Sequence, residues 1–185
     1  MLYSLFERVF ATVLFVLTLP ILAIVALLIR LDSAGSPIFR QTRVGQSETT
    51  FTLYKLRTMK IGTINAGSHQ VSDAQVTALG KQLRRFKLDE LPQLWNVVRG
   101  DMRLVGPRPC LPTQSDVIEA RRRSGVLHIK PGITGLAQVR NIDMSTPDKL
   151  AEADAEYARN RTAKGDLQLL AATFGGKGRG DAVKG

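Results

Sequence analysis

The sequence predicts a helix-rich α+β domain that carries one apolar helix in the membrane, and three patterns support this fold class. An uncharged run of 21 residues, Val9–Ile29, lies between Arg8 and Arg30. Two short β-prone runs, Ile38–Arg43 and Thr50–Leu56, flank a turn and predict a β-hairpin. Farther along the chain, apolar residues recur at helical spacing in several segments.

The composition narrows the class of protein. Hydrophobic residues make up 44% and charged residues 23% of the 185-residue chain, which excludes wholesale disorder. The net charge of +10 indicates an anionic partner, either nucleic acid, anionic lipid or a phosphorylated substrate. The single cysteine, Cys110, excludes an internal disulfide, and it cannot form a Cys-based zinc site with the scattered His69 and His128.

The apolar run predicts a membrane helix. As a helix it would be about 31 Å long, close to the hydrocarbon thickness of a bilayer. Pro20 lies in its middle and predicts a bend, because proline removes a backbone donor and clashes with the preceding turn. Dense basic residues after the run place the following chain on the cytoplasmic side. The residues alone leave open a straight span and a bent helix that returns to the same leaflet.

The remaining elements follow from periodicity and from turn residues. We divide the chain into a membrane helix (1–31), a catalytic domain (32–174) and a flexible basic tail (175–185). Within the domain we predict a polar loop at 61–72, a turn at 130–135, and helices at 74–86, 89–100, 113–124 and 146–174, the last with a break near Gly165.

Two adjacent acids are the strongest candidates for chemistry. Pro92 is tolerated only in the first turn of a helix, so Asp89 and Glu90 lie at the amino end, where the dipole favours carboxylates. The acids either complement that dipole only, or form a carboxylate nucleophile beside a base or metal ligand. The nearby Arg84 and Arg85 suit phosphate and Mg²⁺ chemistry, because Mg²⁺ prefers one or two carboxylates plus substrate phosphates.

A second candidate is Arg108, which lies between Pro107 and Pro109. The flanking prolines fix the backbone on both sides, so the guanidinium is presented for a bidentate contact with phosphate. The alternative is a solvent-exposed arginine in a rigid loop.

These motifs together resemble the bacterial sugar transferase family, the small monotopic phosphoglycosyl transferases, over roughly residues 1–175. The order and spacing of the motifs agree with the family along this whole length. The segments that carry the resemblance are 37–45 (PIFRQTRVG), 51–59 (FTLYKLRTM), 88–96 (LDELPQLWN), 100–102 (GDM), 105–109 (VGPRP) and 131–139 (PGITGLAQV).

The resemblance implies an enzyme that moves a phosphosugar from a UDP-sugar to polyprenyl (undecaprenyl) phosphate and releases UMP. Asp89 would be the nucleophile that carries the phosphosugar, and Glu90 would act as metal ligand or general base. Both carboxylates would hold Mg²⁺. A carboxylate nucleophile divides phosphoryl transfer into two steps, which agrees with these roles. The reaction would be the first membrane step in the assembly of a glycan.

The resemblance also assigns other positions and a location. Arg84, Arg108, Lys55, Gln138 and Asp154 match family positions that bind the substrate phosphate or nucleotide. The family's membrane element is a re-entrant helix bent at a proline, which corresponds here to Pro20, with amphipathic helices at the interface. The resemblance therefore implies a monotopic protein of the bacterial inner membrane whose site faces the cytoplasm, contacts lipid and binds no nucleic acid. A homodimer is compatible with it.

The sequence departs from the family pattern at Leu19, which precedes the proline of the membrane helix. It departs also at Lys87, at Arg103 and over residues 140–144, and these departures bear on sugar recognition rather than on the reaction. Two other functions are weighed against the phosphoglycosyl transferase. One is a membrane-anchored basic module that binds anionic lipid or nucleic acid without catalysis. The other is a transferase that moves only the sugar and releases UDP.

Overall fold

The computed structural model describes residues 2–63, 73–176 and 178, and within them the predicted helix-rich α+β class is confirmed. The strands form two separate two-stranded sheets, β1–β2 and β3–β4. The elements are α1 (Leu2–Asp32), β1 (Ile38–Val44), β2 (Thr50–Leu56), α2 (Ala78–Arg85), α3 (Gln93–Arg99), β3 (Arg103–Val105), α4 (Ser115–Arg123), β4 (Gly132–Thr134), α5 (Leu136–Val139), α6 (Pro147–Asn160) and α7 (Ala163–Phe174).

The chain folds as two compact units. The first holds the described residues up to Gln41 together with Thr52–Gly100. The second holds Thr42–Phe51 and the described residues from Asp101 onward. The predicted hairpin, β1–β2, is confirmed, and the division into units crosses both of its strands.

Helix α1 is long and apolar enough to cross a membrane, and most of its surface is open. Only 11% of its most apolar window is buried inside the protein. One stripe of α1 is buried against the rest of the first unit. Its residues recur at helical spacing and include Glu7, Ala11, Val25 and Ile29. The helix is continuous through Pro20. Its remaining faces expose large apolar side chains, a pattern that suits surrounding lipid rather than water.

The second half of α1 is fixed to the first unit by a core and by a cap. Val25 and Ile29 share a buried cluster with Leu56 of β2 and Leu83 of α2. The Arg57 guanidinium donates to the backbone carbonyls of Ser33 at 2.7 Å and of Ile29 at 3.3 Å, and also to that of Ala34. Ser33 and Ala34 directly follow the last residue of α1, and the Ile29 carbonyl also accepts from the Ser33 N–H at 3.1 Å. Arg57 therefore caps α1.

The second unit contains a parallel strand pair that the sequence did not indicate. We predicted a turn at 130–135, and this is wrong for its centre, because Gly132–Thr134 forms β4 beside β3. The Gly106 N–H donates to the Thr134 carbonyl at 2.8 Å. A Cβ at Gly132 would lie 2.0 Å from the Gly106 nitrogen. The backbones at these two glycines therefore approach more closely than any side chain at residue 132 permits.

The helix predictions are confirmed in outline and corrected at their ends. Helix α3 ends at Gly100, whose φ of +84° suits glycine. Helix α2 begins at Ala78, so the predicted helix start at residue 74 is too early. Before α2 the backbone is held by the bond from Thr77 N–H to the Thr58 carbonyl and by an antiparallel bridge between Met59 and Val76. The break between the last two helices comes at 161–162 rather than near Gly165, which lies in the first turn of α7.

Two predicted segments lie largely outside the described residues. They are the loop at 61–72 and the tail at 175–185, of which only residues 61–63, 175–176 and 178 are described.

The second unit has its own apolar core. Cys110, Val117, Leu150 and Ala153 form a buried cluster together with Val44 of β1. Burial raises the pKa of the Cys110 thiol. Cys110 is a fully buried small residue of this core.

Candidate active site

The two predicted catalytic acids lie together in a single 3-10 turn, Leu88–Glu90, directly before α3. Asp89 is 3% exposed and Glu90 is 8% exposed. Lys87 adopts the left-handed conformation, with φ at 55°, and so turns the chain sharply between α2 and the acids. Pro92 follows with helical backbone angles, as the sequence predicted. The acids are therefore buried at the amino end of a helix.

Glu90 is paired with a buried lysine from the neighbouring strand. Lys55 of β2 donates from Nζ to Glu90 Oε1 at 3.1 Å, and both side chains are less than a tenth exposed. The two charges attract each other more strongly here than at the surface, because the local dielectric is low, and removing one partner would leave the other charge buried and uncompensated. The pair fixes one carboxylate oxygen of Glu90 and places a positive charge beside the two acids.

Asn96 sets the position of α3 relative to β2. Its Nδ2 donates to the Thr52 carbonyl at 2.7 Å, and its Oδ1 accepts from the Tyr54 N–H at 3.2 Å. The side-chain amide thus bonds the backbone of β2 on both sides of Leu53. Lys55 is two residues beyond Leu53 on the same strand, and its side chain reaches Glu90 in the turn before α3.

Arg84 is positioned by α2 and by the segment that follows β2. Its Nε donates to Thr58 Oγ1 at 3.0 Å. The N–H of Thr77 donates to the Thr58 carbonyl at 3.0 Å, and a Cβ at Gly80 would lie 2.1 Å from that carbonyl oxygen. Helix α2 therefore packs directly on the Thr58 backbone, and Arg84 is half-buried at its carboxyl end.

Arg108 is carried by a segment of the second unit that backbone bonds hold on both sides. The Pro107 carbonyl accepts from the Gly132 N–H at 2.9 Å, and the Pro109 carbonyl accepts from Arg43 Nη1 at 3.0 Å. The Cys110 carbonyl accepts from the Val44 N–H at 2.9 Å. The predicted rigid presentation of Arg108 is thereby supported, and its side chain is half-buried.

Gln138 lies in α5 of the second unit. Its Nε2 donates to the Ile133 carbonyl at 3.2 Å. Its Oε1 is buried and has no hydrogen-bond partner in the part of the chain that the structure describes. An acceptor with no partner in the protein is compatible with the predicted contact to substrate, which stays a prediction.

Asp154 is buried in α6 and makes an ion pair with Arg121 of α4. Arg121 donates to Asp154 Oδ2 from Nη2 at 2.7 Å and from Nε at 3.0 Å. Burial raises the pKa of Asp154, and the Arg121 guanidinium opposes that rise. The contact joins two helices of the second unit. A role of Asp154 in nucleotide binding stays a prediction beside this contact.

The structure therefore groups Lys55, Arg84, Asp89 and Glu90 within the first unit, while Arg108, Gln138 and Asp154 belong to the second. Sequence reasoning missed the structural roles of Asn96, Arg57 and Arg121. Asn96 belongs to the run 91–96 (LPQLWN), which leads into α3. No local pattern predicts which backbone groups the side-chain amide of a buried asparagine will bond.

Asp89 and Glu90 are also the predicted ligands of Mg²⁺. Within residues 2–63, 73–176 and 178, no group of three or more His, Cys, Asp or Glu side chains converges as a metal-binding cluster. Mg²⁺ is commonly held by one or two carboxylates plus substrate phosphates. A role of Asp89 and Glu90 as ligands of Mg²⁺ stays a prediction.

Comparison with known proteins identifies the family to which this chain belongs. The family model described as bacterial sugar transferase matches residues 1–177. The chain therefore belongs to the bacterial sugar transferase family, and the resemblance inferred from the motifs is confirmed.

The most informative relatives have names that describe phosphosugar transfer. The chain is 39% identical, over 90% of its length, to a UDP-glucose:undecaprenyl-phosphate glucose-1-phosphate transferase of Caulobacter vibrioides. It is 36% identical, over 89% of its length, to the Escherichia coli protein of the same name. It is 45% identical, over 54% of its length, to a putative undecaprenyl-phosphate N-acetylgalactosaminyl 1-phosphate transferase of Bacillus subtilis.

The chain spans only part of these relatives. It covers 66% of the Caulobacter protein, 37% of the Escherichia coli protein and 57% of the Bacillus protein.

Proposed function

We propose that the protein transfers a phosphosugar from a UDP-sugar to polyprenyl phosphate, undecaprenyl phosphate in particular, and releases UMP. The buried acid pair in the turn before α3 carries this proposal, with Glu90 fixed by Lys55 at 3.1 Å. The family match and the names of the relatives support it. The product would enter assembly of a cell-surface glycan.

The proposed reaction has two steps. An Asp89 carboxylate oxygen attacks the phosphorus that bears the sugar, and the bond from this phosphorus to the bridging oxygen breaks. UMP leaves with that oxygen, and the sugar phosphate remains on Asp89. An oxygen of polyprenyl phosphate then attacks the same phosphorus, and Asp89 is released as a carboxylate. Splitting the transfer in this way lets a soluble and a lipid substrate react in turn.

Mg²⁺ is part of the proposal. Asp89 and Glu90 would hold it together with the diphosphate of the substrate. When bound, the ion would neutralise charge on the phosphate oxygens.

We further propose that both ends of α1 lie on the cytoplasmic side of the inner membrane. The first unit contacts α1 along its length: the Arg8 guanidinium lies against Gly100, the Phe15 ring is 5.6 Å from that of Trp95, and Ile29 joins the core. These contacts extend over about 31 Å of helix, which is comparable to the hydrocarbon thickness. A straight span would carry the polar surface of this unit into hydrocarbon.

The identity of the released nucleotide tests the reaction. Protein in nanodiscs would receive Mg²⁺, undecaprenyl phosphate and, in separate assays, UDP-glucose, UDP-galactose or UDP-N-acetylgalactosamine. We expect UMP from at least one sugar, and none with Asp89→Asn or after chelation by EDTA. Asp116→Asn, which changes an exposed acid of α4, should behave as wild type.

Release of UDP would overturn the proposal in favour of a transferase that moves only the sugar. The absence of both nucleotides from folded protein would favour the membrane-anchored binding module. Under that alternative, Asp89→Asn would be harmless, and partner affinity would fall steeply with salt.

A further inference from the structure

One buried amide close in sequence to the acid pair has a hydrogen-bond donor that no described residue accepts. Gln93 is the first residue of α3 and is 2% exposed. Its Nε2 is fully buried, and it has no hydrogen-bond partner among the residues that the structure describes. A buried donor left without a partner destabilises the folded state, so such a group needs an explanation.

The position of Gln93 links it to the two acids. The backbone remains helical from the Leu88–Glu90 turn through Leu91 and Pro92 into α3. Side chains three and four residues apart share one face of such a segment. Gln93 therefore lies one turn beyond Asp89 and Glu90 on the face that carries both acids.

The polar neighbours of Gln93 on this face have partners. Glu90, one turn before it, accepts from Lys55 at 3.1 Å. Asn96, one turn after it, bonds the backbone of β2 through both atoms of its amide. Asn96 shows what a purely structural amide does on this face. The Nε2 of Gln93 makes no such bond within the described residues, although Gln93 is buried to the same degree as Asp89.

We infer that Gln93 is a substrate-binding residue whose Nε2 donates to an oxygen of the sugar diphosphate held at Asp89. The acceptor class is a non-bridging phosphate oxygen or a sugar hydroxyl, both of which accept hydrogen bonds from an amide. A neutral donor suits a position beside two carboxylates, because it adds no further buried charge. The inference rests on the proposed function.

The substitution Gln93→Met tests the inference, because it removes the amide and keeps the length of the side chain. We expect kcat/KM for UMP release to fall at least about tenfold, the effect of losing one hydrogen bond of ordinary strength. We also expect the thermal midpoint without substrate to stay the same or rise, because an unpaired buried donor has been removed. The stabilisation that UDP-sugar gives to the wild type should shrink in the variant.

Gln82→Met is the matched control, since it makes the same change on the exposed face of α2. It should equal wild type in all three measurements. Wild-type kinetics in Gln93→Met would overturn the inference. So would a lower thermal midpoint in both Gln93→Met and Gln93→Glu with unchanged kcat/KM per folded molecule, because that result marks a structural amide. Wild-type protein that releases no UMP would instead overturn the proposed function, and the inference with it.

Discussion

At the scale of single residues, the ion pair between Arg121 and Asp154 shows how burial changes the meaning of a charged side chain. Both side chains are at most 5% exposed. A buried pair contributes little over an apolar pair of the same volume, but breaking it by removing one partner is costly. This asymmetry allows the structural contact of Asp154 to be separated from its predicted contact with nucleotide.

We predict that Asp154→Asn destabilises the protein by about 3–5 kcal/mol, because Arg121 is left buried without its carboxylate. The thermal midpoint should fall on the order of 10 °C. Thermal unfolding in detergent, followed by circular dichroism, measures this effect. Adding Arg121→Met should recover part of the loss. An unchanged midpoint with a raised KM for UDP-sugar would show that Asp154 serves the substrate instead.

A second residue-scale prediction concerns Cys110. Its side chain is 0% exposed, and burial raises the pKa of its thiol. Because the thiolate is the reactive form, less of it is present at a given pH than in an unfolded chain. We expect Cys110 to resist alkylation by iodoacetamide at pH 8 in the folded protein and to react rapidly in guanidinium. Rapid reaction in the folded protein would contradict the observed burial.

At the scale of elements, glycines decide whether the strands of the second unit can meet. A Cβ at Gly132 would lie 2.0 Å from the Gly106 nitrogen, and a Cβ at Gly135 would lie 2.2 Å from the Gly106 carbonyl oxygen. These obstacles are backbone atoms, so no side chain can move to relieve them. The Val-Gly-Pro-Arg-Pro and Pro-Gly-Ile-Thr-Gly motifs are thus two halves of one contact, which also holds the segment that carries Arg108.

We predict that Gly132→Ala separates β3 from β4 and lowers both stability and activity. The physical reason is steric overlap, so the thermal midpoint should fall by more than the few degrees typical of a surface change. Gly175→Ala is the control, because its nearest contact would be 3.3 Å and its φ is −72°. Equal thermal midpoints for the two variants would contradict the close approach.

At the scale of the whole molecule, the protein combines an open apolar helix with a basic chain of net charge +10. The exposed apolar faces of α1 favour lipid, and the positive charge favours an anionic surface. This combination suits the proposed function, whose two substrates are a soluble nucleotide sugar and a lipid phosphate.

The proposed membrane topology predicts where reagents reach the two ends of α1. Ser4→Cys and Ala34→Cys introduce exposed thiols before and after the apolar run. Both should react with a membrane-impermeant maleimide in inverted vesicles and neither in intact spheroplasts. The protected Cys110 provides the background in the parent protein. Labelling of the two positions from opposite sides would establish a straight span.

Much of the candidate site was predictable because its signals are local. Pro92 and Gly100 mark the ends of one helical segment, so Asp89 and Glu90 could be placed at its start. The β4 strand could not be predicted, because three residues that begin with Gly132 and are followed by Gly135 resemble a turn until a partner strand is present. The break before α7 was misplaced, because Thr162 caps that helix and Gly165 fits its first turn without strain.

The sequence by itself determined the class of the protein, the apolar helix, the hairpin and the acid pair, because each depends on residue types at short spacing. Only the tertiary structure decided that Lys55 pairs with Glu90 and that Arg121 pairs with Asp154. It also decided that Nε2 of Gln93 is buried with no hydrogen-bond partner in the part of the chain that is described. Such contacts join residues far apart in the chain or depend on what surrounds a side chain. The packing of whole elements fixes them, and no local pattern of residues encodes that packing.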